Sequence, residues 1–149
     1  MTAPLTLRTF TQHRHSVTVP PPDRGCTRSP ATSIVAWLDG RGVTAGLLTL
    51  YLRHTSASLL IQENEDLDVM RDLEDYFAAQ APEDTALYRH NAEVAGDMPA
   101  HIKGALTQSH LAIPICDGEL LLSRYQGIFL FEHRRTPRPR EIVLHFEGQ

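Results

Sequence analysis

The residues with the clearest chemical potential in this sequence are histidines. Four of the eight histidines lie at the ends of regular segments or in loops. They are His54, His90, His101 and His133. Imidazoles from separate elements can share a metal ion, and three protein ligands leave a coordination position for water or substrate. The sequence therefore predicts these four residues as metal ligands, while the same spacing also fits histidines with separate structural roles.

An arginine cluster directly follows His133. Its four members, Arg134, Arg135, Arg138 and Arg140, occur within seven residues that include two prolines. A guanidinium group binds phosphate or carboxylate through two parallel hydrogen bonds, so the cluster indicates a site for an anionic substrate. A solvated basic turn that discourages pairing at a strand edge is the alternative. The predicted phosphate-binding residues are Ser56, Ser58, Arg134 and Arg140.

Two carboxylates near these histidines, Glu63 and Asp97, are candidates for acid–base chemistry. The segment Asp97-Met98-Pro99 is typical of a helix N-cap followed by proline in the first turn. Capping is therefore the favoured role of Asp97, ahead of a role as catalytic base. The candidate catalytic residues are His54, Glu63, Asp97, His101 and His133.

The elements that position these residues belong to a chain of 149 residues with 42% hydrophobic and 21% charged side chains. These values are typical of one globular domain over 1–149 that needs no disulfide or structural metal. A formal charge of −4 disfavours nucleic acid as a partner. Cys26 and Cys116 form no C-x-x-C pair, and we find neither a signal-peptide pattern nor a membrane-spanning apolar run. We expect a cytoplasmic protein that does not associate with membranes.

The hydrophobic pattern predicts a strand-rich chain with helices inserted near its middle. Alternation predicts strands over 5–19, 46–54, 58–62, 109–115, 119–123, 126–133 and 141–147, with Asp117-Gly118 as a hairpin turn. Helical spacing and caps predict helices over 30–38, 67–79 and 97–107, the first with Ser29 as its N-cap. The predicted fold class is α+β, with an antiparallel β-sandwich-like core and a few inserted helices.

Four blocks of residues in a fixed order resemble a known family. They are His54-Thr55-Ser56-Ala57-Ser58, Glu63-Asn64 before an acidic helix, the segment from Asp97 to Lys103, and Gln126-Gly127-Ile128 with Glu132-His133-Arg134. Together these blocks resemble the YjbQ-like family, described as secondary thiamine-phosphate synthases. The resemblance runs from about residue 46 to residue 149.

The resemblance implies a small α+β protein with an antiparallel sandwich, assembled as a homotrimer. It also implies a histidine-lined pocket at or near the subunit boundary that can hold a metal ion, either zinc or magnesium. The family's histidines correspond to His54, His101 and His133, and its His-x-x-Glu to His90 with Glu93.

The chain departs from the family pattern at three places. Glu93-Val94 and Gly96-Asp97 stand where members often have Glu-Gly and Asp-Asp, and Tyr125 replaces a tryptophan. The change at Gly96 removes one candidate carboxylate from the pocket.

The family's name implies that hydroxymethylpyrimidine diphosphate is joined to thiazole phosphate with release of diphosphate. This reaction needs electrostatic stabilisation of the leaving group, which Arg134, Arg140 or a histidine-bound metal would supply.

Two alternatives to this reaction stay open. One is metal-assisted phosphoester hydrolysis, because a bound metal lowers the pKa of water toward ~7. The other is a non-catalytic module that binds a phosphorylated metabolite.

Overall fold

Two antiparallel sheets and their helices make up the computed structural model, which describes residues 11–22, 27–92 and 96–149. The strands are β1 (Thr11–Val19), β2 (Thr27–Arg28), β3 (Gly46–Leu52), β4 (Ala57–Glu63), β5 (His110–Cys116), β6 (Glu119–Leu120), β7 (Gln126–Glu132) and β8 (Arg140–Gly148). The helices are α1 (Ala31–Asp39), α2 (Leu67–Gln80) and α3 (Asp97–Leu106). One sheet has the order β1-β8-β3-β5-β6 and the other the order β2-β7-β4. The α+β class with an antiparallel sandwich is confirmed.

The hydrophobic core lies between the two sheets. In β3, Leu48, Leu50 and Leu52 are buried, whereas Leu47 and Tyr51 are exposed on the opposite face. This alternation is the period of a strand with one buried face, and each fully buried leucine contributes about 1.5–3 kcal/mol. Strands β4, β5, β7 and β8 supply the rest of the core together with Ile34, Trp37 and Leu38 of α1.

Helices α2 and α3 cover the other face of the three-stranded sheet. Phe77 of α2 meets Phe131 of β7 edge to face, with ring centroids 5.6 Å apart. Thr107, at the end of α3, contacts the hydroxyl of Ser58 in β4. Since Ser58 and Phe131 alternate with the core residues Leu59 and Leu130, the helices form a third layer.

Most predicted elements are confirmed, including the hairpin turn, where Asp117 and Gly118 have positive φ values of 52° and 83°. The predicted strand over 46–54 is too long: β3 ends at Leu52, because the chain turns and the His54 N–H donates to the Leu52 carbonyl at 2.9 Å. The strand predicted over 119–123 is reduced to Glu119–Leu120. The part of the first predicted strand over 5–10 lies outside the described residues, and so does Cys26.

Both helix-cap predictions differ from the structure by one residue. Pro30 is the N-cap of α1, and Ser29 Oγ accepts from the Ala31 N–H at 3.3 Å. Gly96 is the N-cap of α3, with φ at 89°. Asp97 is thus the first helical residue and not the N-cap, so the N-cap prediction for it is wrong. In residues 11–22, 27–92 and 96–149, no helix combines the length and hydropathy that a bilayer crossing requires.

Candidate metal and anion site

The candidate site lies where β3, β4, β7 and α3 converge. The register of β4 and β7 brings Ser56 beside His133, whose N–H donates to the Ser56 carbonyl at 3.1 Å. Helix α3 approaches the same place because Gly104 has no side chain: a Cβ there would lie 2.6 Å from the Thr55 carbonyl oxygen. A close contact without a side chain is what glycine permits. The turn after β3 and the last turn of α3 are therefore held together.

Asp97, His90 and His101 form a cluster that could hold a metal ion. Asp97 Oδ2 lies 2.9 Å from His90 Nε2 and 3.4 Å from His101 Nε2. Asp97 and His101 are four residues apart on one face of α3, and His90 comes from the preceding loop. Ligands bonded at about 2.0–2.1 Å to a tetrahedral ion lie about 3.3 Å apart, so the spacing already suits such an ion.

The burial of the cluster is uneven. The Asp97 side chain is 5% exposed, while those of His101 and His90 are 32% and 42% exposed. The carboxylate therefore forms the floor, and the two imidazoles lie at the solvent side. An ion bound by these three groups would have room for a water or substrate ligand.

Arg134 connects this cluster to β7. Its Nη2 lies 2.5 Å from Asp97 Oδ1, and its backbone N–H donates to Glu132 Oε1 at 3.0 Å. Among the described residues, the buried Nε of Arg134 has no hydrogen-bond partner. A buried donor without a partner costs about 1–3 kcal/mol, which a bound acceptor would offset. Arg134 thus suits the predicted role of anion ligand.

Arg140, also predicted to bind phosphate, is engaged by a buried carboxylate. Its Nε donates to Glu132 Oε2 at 2.7 Å and its Nη2 to Glu132 Oε1 at 2.9 Å. The two side chains are 5% and 1% exposed. The pair fixes the end of β7 against the start of β8 and leaves Arg140 Nη1 as its remaining nitrogen group.

The side chain of His133 contacts other residues than those of the His90–Asp97–His101 cluster. Its Nε2 is 2.7 Å from Ser58 Oγ, and Ser58 also contacts Thr107. Burial, followed by the nearby Lys103 cation, lowers the pKa of His133 to about 4. Ser58 and His133 are only 1% and 4% exposed, so this serine–histidine pair is closed to substrate and the ring stays neutral at pH 7.

His54 has a defined tautomer. The Ser56 N–H donates to His54 Nδ1 at 2.9 Å, so that Nδ1 carries the lone pair. In a neutral ring the proton must then be on Nε2, which becomes a donor. Burial lowers the pKa of His54, and the Arg140 and Arg134 cations lower it further, which favours this neutral form.

Ser56 and Glu63 are not brought into this cluster. Ser56 is fully buried, and its Oγ has no hydrogen-bond partner among the described residues. Glu63 lies at the opposite end of β4, where its carboxylate accepts from the Asn64 and Glu65 N–H groups at 3.1 and 2.9 Å. Glu93 lies outside the described residues.

Sequence reasoning did not single out Arg53, which lines two cavities together with His54, and it favoured a capping role for Asp97. Arg53 directly precedes His54, and adjacency to a candidate histidine was the available signal. For Asp97 the signal was its spacing of four residues from His101 on one helix, which places both side chains on the same face.

The fold and cluster define a small α+β protein with a histidine–carboxylate group beside an arginine. The profile of the family described as "UPF0047 protein YjbQ-like" matches residues 16–149. This chain belongs to that family. A UPF0047 protein from Synechocystis is 45% identical over 141 residues, covering 95% of this chain and 95% of the relative.

Solved structures share the fold of this chain. A conserved hypothetical protein from Thermus thermophilus is 34% identical, with a TM-score of 0.75 over 87% of this chain and 97% of its own. A protein of unknown function from Sulfolobus solfataricus has a TM-score of 0.84 over 95% of this chain and 100% of its own, at 16% identity. The second likeness concerns the fold alone.

Proposed function

We propose that this protein is a metal-dependent enzyme that transfers a group from a diphosphate ester, with thiamine-phosphate synthesis as its reaction. In that reaction the bond between a pyrimidine methylene carbon and the diphosphate oxygen breaks, and the carbon bonds to the thiazole nitrogen. The diphosphate leaves with the electron pair. The observation that carries the proposal is the His90–Asp97–His101 cluster with Arg134 at its side.

The donor set favours one class of metal. Two imidazoles and one carboxylate suit zinc and similar transition ions, whereas magnesium prefers oxygen ligands and keeps several waters. Zinc is therefore the metal we propose over magnesium. When bound, it would neutralise charge on the leaving diphosphate.

Arg134 would act on the same leaving group. Its Nη2 is shared with Asp97 Oδ1, and its buried Nε is unpaired among the described residues. Donors fixed before the reaction stabilise developing charge better than solvent does. Arg134 would therefore bind diphosphate oxygens while keeping Asp97 oriented toward the two histidines.

The experiment is a coupling assay with hydroxymethylpyrimidine diphosphate and thiazole phosphate, run with zinc, with magnesium and with chelator. We expect product with zinc, loss with chelator and recovery when zinc is restored. The His101→Ala variant should lose about 100-fold in rate. The matched control, His145→Ala on β8, should keep the wild-type rate. Full activity in His101→Ala would contradict the proposal.

Metal-assisted phosphoester hydrolysis is the second candidate, favoured by the exposed side of the cluster. Two imidazoles and a carboxylate leave a position for water, whose pKa a bound zinc ion lowers toward ~7. Zinc-dependent release of phosphate from simple esters without coupling would select this reaction. Thermal stabilisation by phosphorylated ligands without turnover would instead select a non-catalytic binding module.

We propose that the protein is a cytoplasmic homotrimer. Leu106 and Leu121 are 63% and 64% exposed in the single chain, and exposed apolar side chains of this size support burial against another copy. The exposed free thiol of Cys116 supports a reducing compartment. Light scattering on the purified protein should give three chain masses, and one chain mass would contradict the trimer.

A further inference from the structure

Two cavities meet at Arg53 and His54, where the chain turns after β3. One has a volume of about 320 Å³ and includes Arg140 and Glu141 in its lining. The other has a volume of about 490 Å³ and includes Thr55 and Ser109. Arg53 and His54 line both, so a ligand in either cavity would meet both side chains.

The polar groups around these cavities are mainly hydrogen-bond donors. Arg53 is exposed and, within the described part of the chain, forms no ion pair. His54 presents its Nε2–H, because Nδ1 already accepts from the Ser56 N–H. Arg140 also lines the smaller cavity, although its side chain is 5% exposed and Glu132 occupies its Nε and Nη2. Glu141 is the one carboxylate in either lining, and it lies on the smaller cavity.

The tautomer separates His54 from the metal ligands. A histidine ligates a metal through a ring nitrogen that carries a lone pair, and the His54 lone pair is already used by the Ser56 N–H. The opposite nitrogen carries a proton and can only donate. His54 is therefore arranged to bind an anion and not a cation.

We infer that the Arg53–His54 cavities form a second anion site, which takes a phosphoryl group through the Arg53 guanidinium and the His54 Nε2–H. Phosphate binding here does not require the metal cluster. The role of the site does rest on the proposed function: a reaction between two phosphorylated substrates needs a second phosphate site besides the one at Arg134. The cavities would hold the monophosphate substrate while the diphosphate lies at the cluster.

The first test measures binding of inorganic phosphate to chelator-treated protein at pH 7.5 by calorimetry. Loss of the Arg53 guanidinium or of the His54 Nε2–H donor should each weaken binding about tenfold, in Arg53→Gln and in His54→Phe respectively. The matched control is Arg124→Gln, which removes an exposed arginine at the opposite end of β7 and should bind as the wild type does. Equal affinity in the wild type and Arg53→Gln would overturn the inference.

The second test reads the ring nitrogens directly with long-range ¹H–¹⁵N correlation spectra. We expect His54 to have a protonated Nε2 and a bare Nδ1, and to keep both when zinc is added. A protonated Nδ1, or zinc bound to His54, would overturn the inference. If zinc does not bind the protein at all but the affinity for phosphate still depends on Arg53, the proposed metal function fails and the anion site stands.

Discussion

His133 should make the stability of this protein fall as the solution is acidified. Burial and the Lys103 cation hold its pKa at about 4 in the folded chain, against 6.5 for an ordinary histidine. The unfolded chain therefore takes up a proton near pH 6.5 while the folded chain stays neutral. The stabilising effect is complete above pH 6.5 and is lost as the pH falls toward 4.

The size of the effect follows from the shift. The difference between 6.5 and about 4 corresponds to about 3 kcal/mol, and most of it should be lost by pH 4.5. The lowered pKa of His54 acts in the same direction. A loss of this size is a large fraction of the stability of an ordinary domain, which is about 5–15 kcal/mol.

The assay is urea unfolding at a series of pH values from 7.5 to 4.5, followed by circular dichroism. Fluorescence of Trp37, the single tryptophan, gives a second probe, and coincident curves support two-state unfolding. The variant His133→Gln keeps a side chain that can bond to Ser58 but cannot titrate. Its free energy of unfolding should fall by about 3 kcal/mol less than that of the wild type over this range.

The control is His110→Gln, an exposed position on β5, which tests the exchange of histidine for glutamine itself. We expect its pH dependence to follow the wild type. The reasoning would be refuted if the wild type and His133→Gln lost the same free energy between pH 7.5 and 4.5, whatever their absolute stabilities.

Three further substitutions have defined outcomes. Gly104→Ala should destabilise the chain by about 1–3 kcal/mol in urea unfolding and weaken zinc binding, because the added methyl group meets a backbone carbonyl. Its control is Gly40→Ala, where the methyl group meets only ordinary contacts at 3.8 Å and the stability should not change. Glu132→Gln should cost about 3–5 kcal/mol in the same assay, because it leaves the buried Arg140 cation uncompensated. Gly96→Ala should cost about 1–2 kcal/mol, because φ at 89° is unfavourable for a residue with a Cβ; unchanged stability would contradict this.

The sheets were predictable from the sequence because burial repeats along a strand. Leu48, Leu50 and Leu52 alternate with exposed residues, and Asp117-Gly118 has the composition of a tight hairpin turn. Strand ends were less predictable, as the end of β3 shows. That end is set by a local turn in which the His54 N–H donates to the Leu52 carbonyl. The alternating sequence pattern continues past the turn and therefore does not mark it.

The histidines of the site were predictable by type, but their grouping was not. His133, His54 and His101 all lie in blocks that resemble the family. In the structure, however, His133 bonds to Ser58, and His54 accepts from the Ser56 N–H. Those partners follow from the register of β4 against β7 and the tight turn after β3, which no local motif encodes. Asp97 was assigned to capping because its local pattern is that of a cap, while its partners His90 and Arg134 come from other segments.

The most direct test of the central claim is the zinc content of untagged protein, measured by elemental analysis after equilibration with zinc and removal of the excess. The wild type should retain about one zinc ion per chain, and the His90→Ala, His101→Ala double variant should retain none. The control double variant, His110→Ala with His145→Ala, removes two imidazoles from the outer sheet face and should retain the metal. Zinc retained by the His90→Ala, His101→Ala protein, or absent from the wild type, would contradict a metal site at His90, Asp97 and His101.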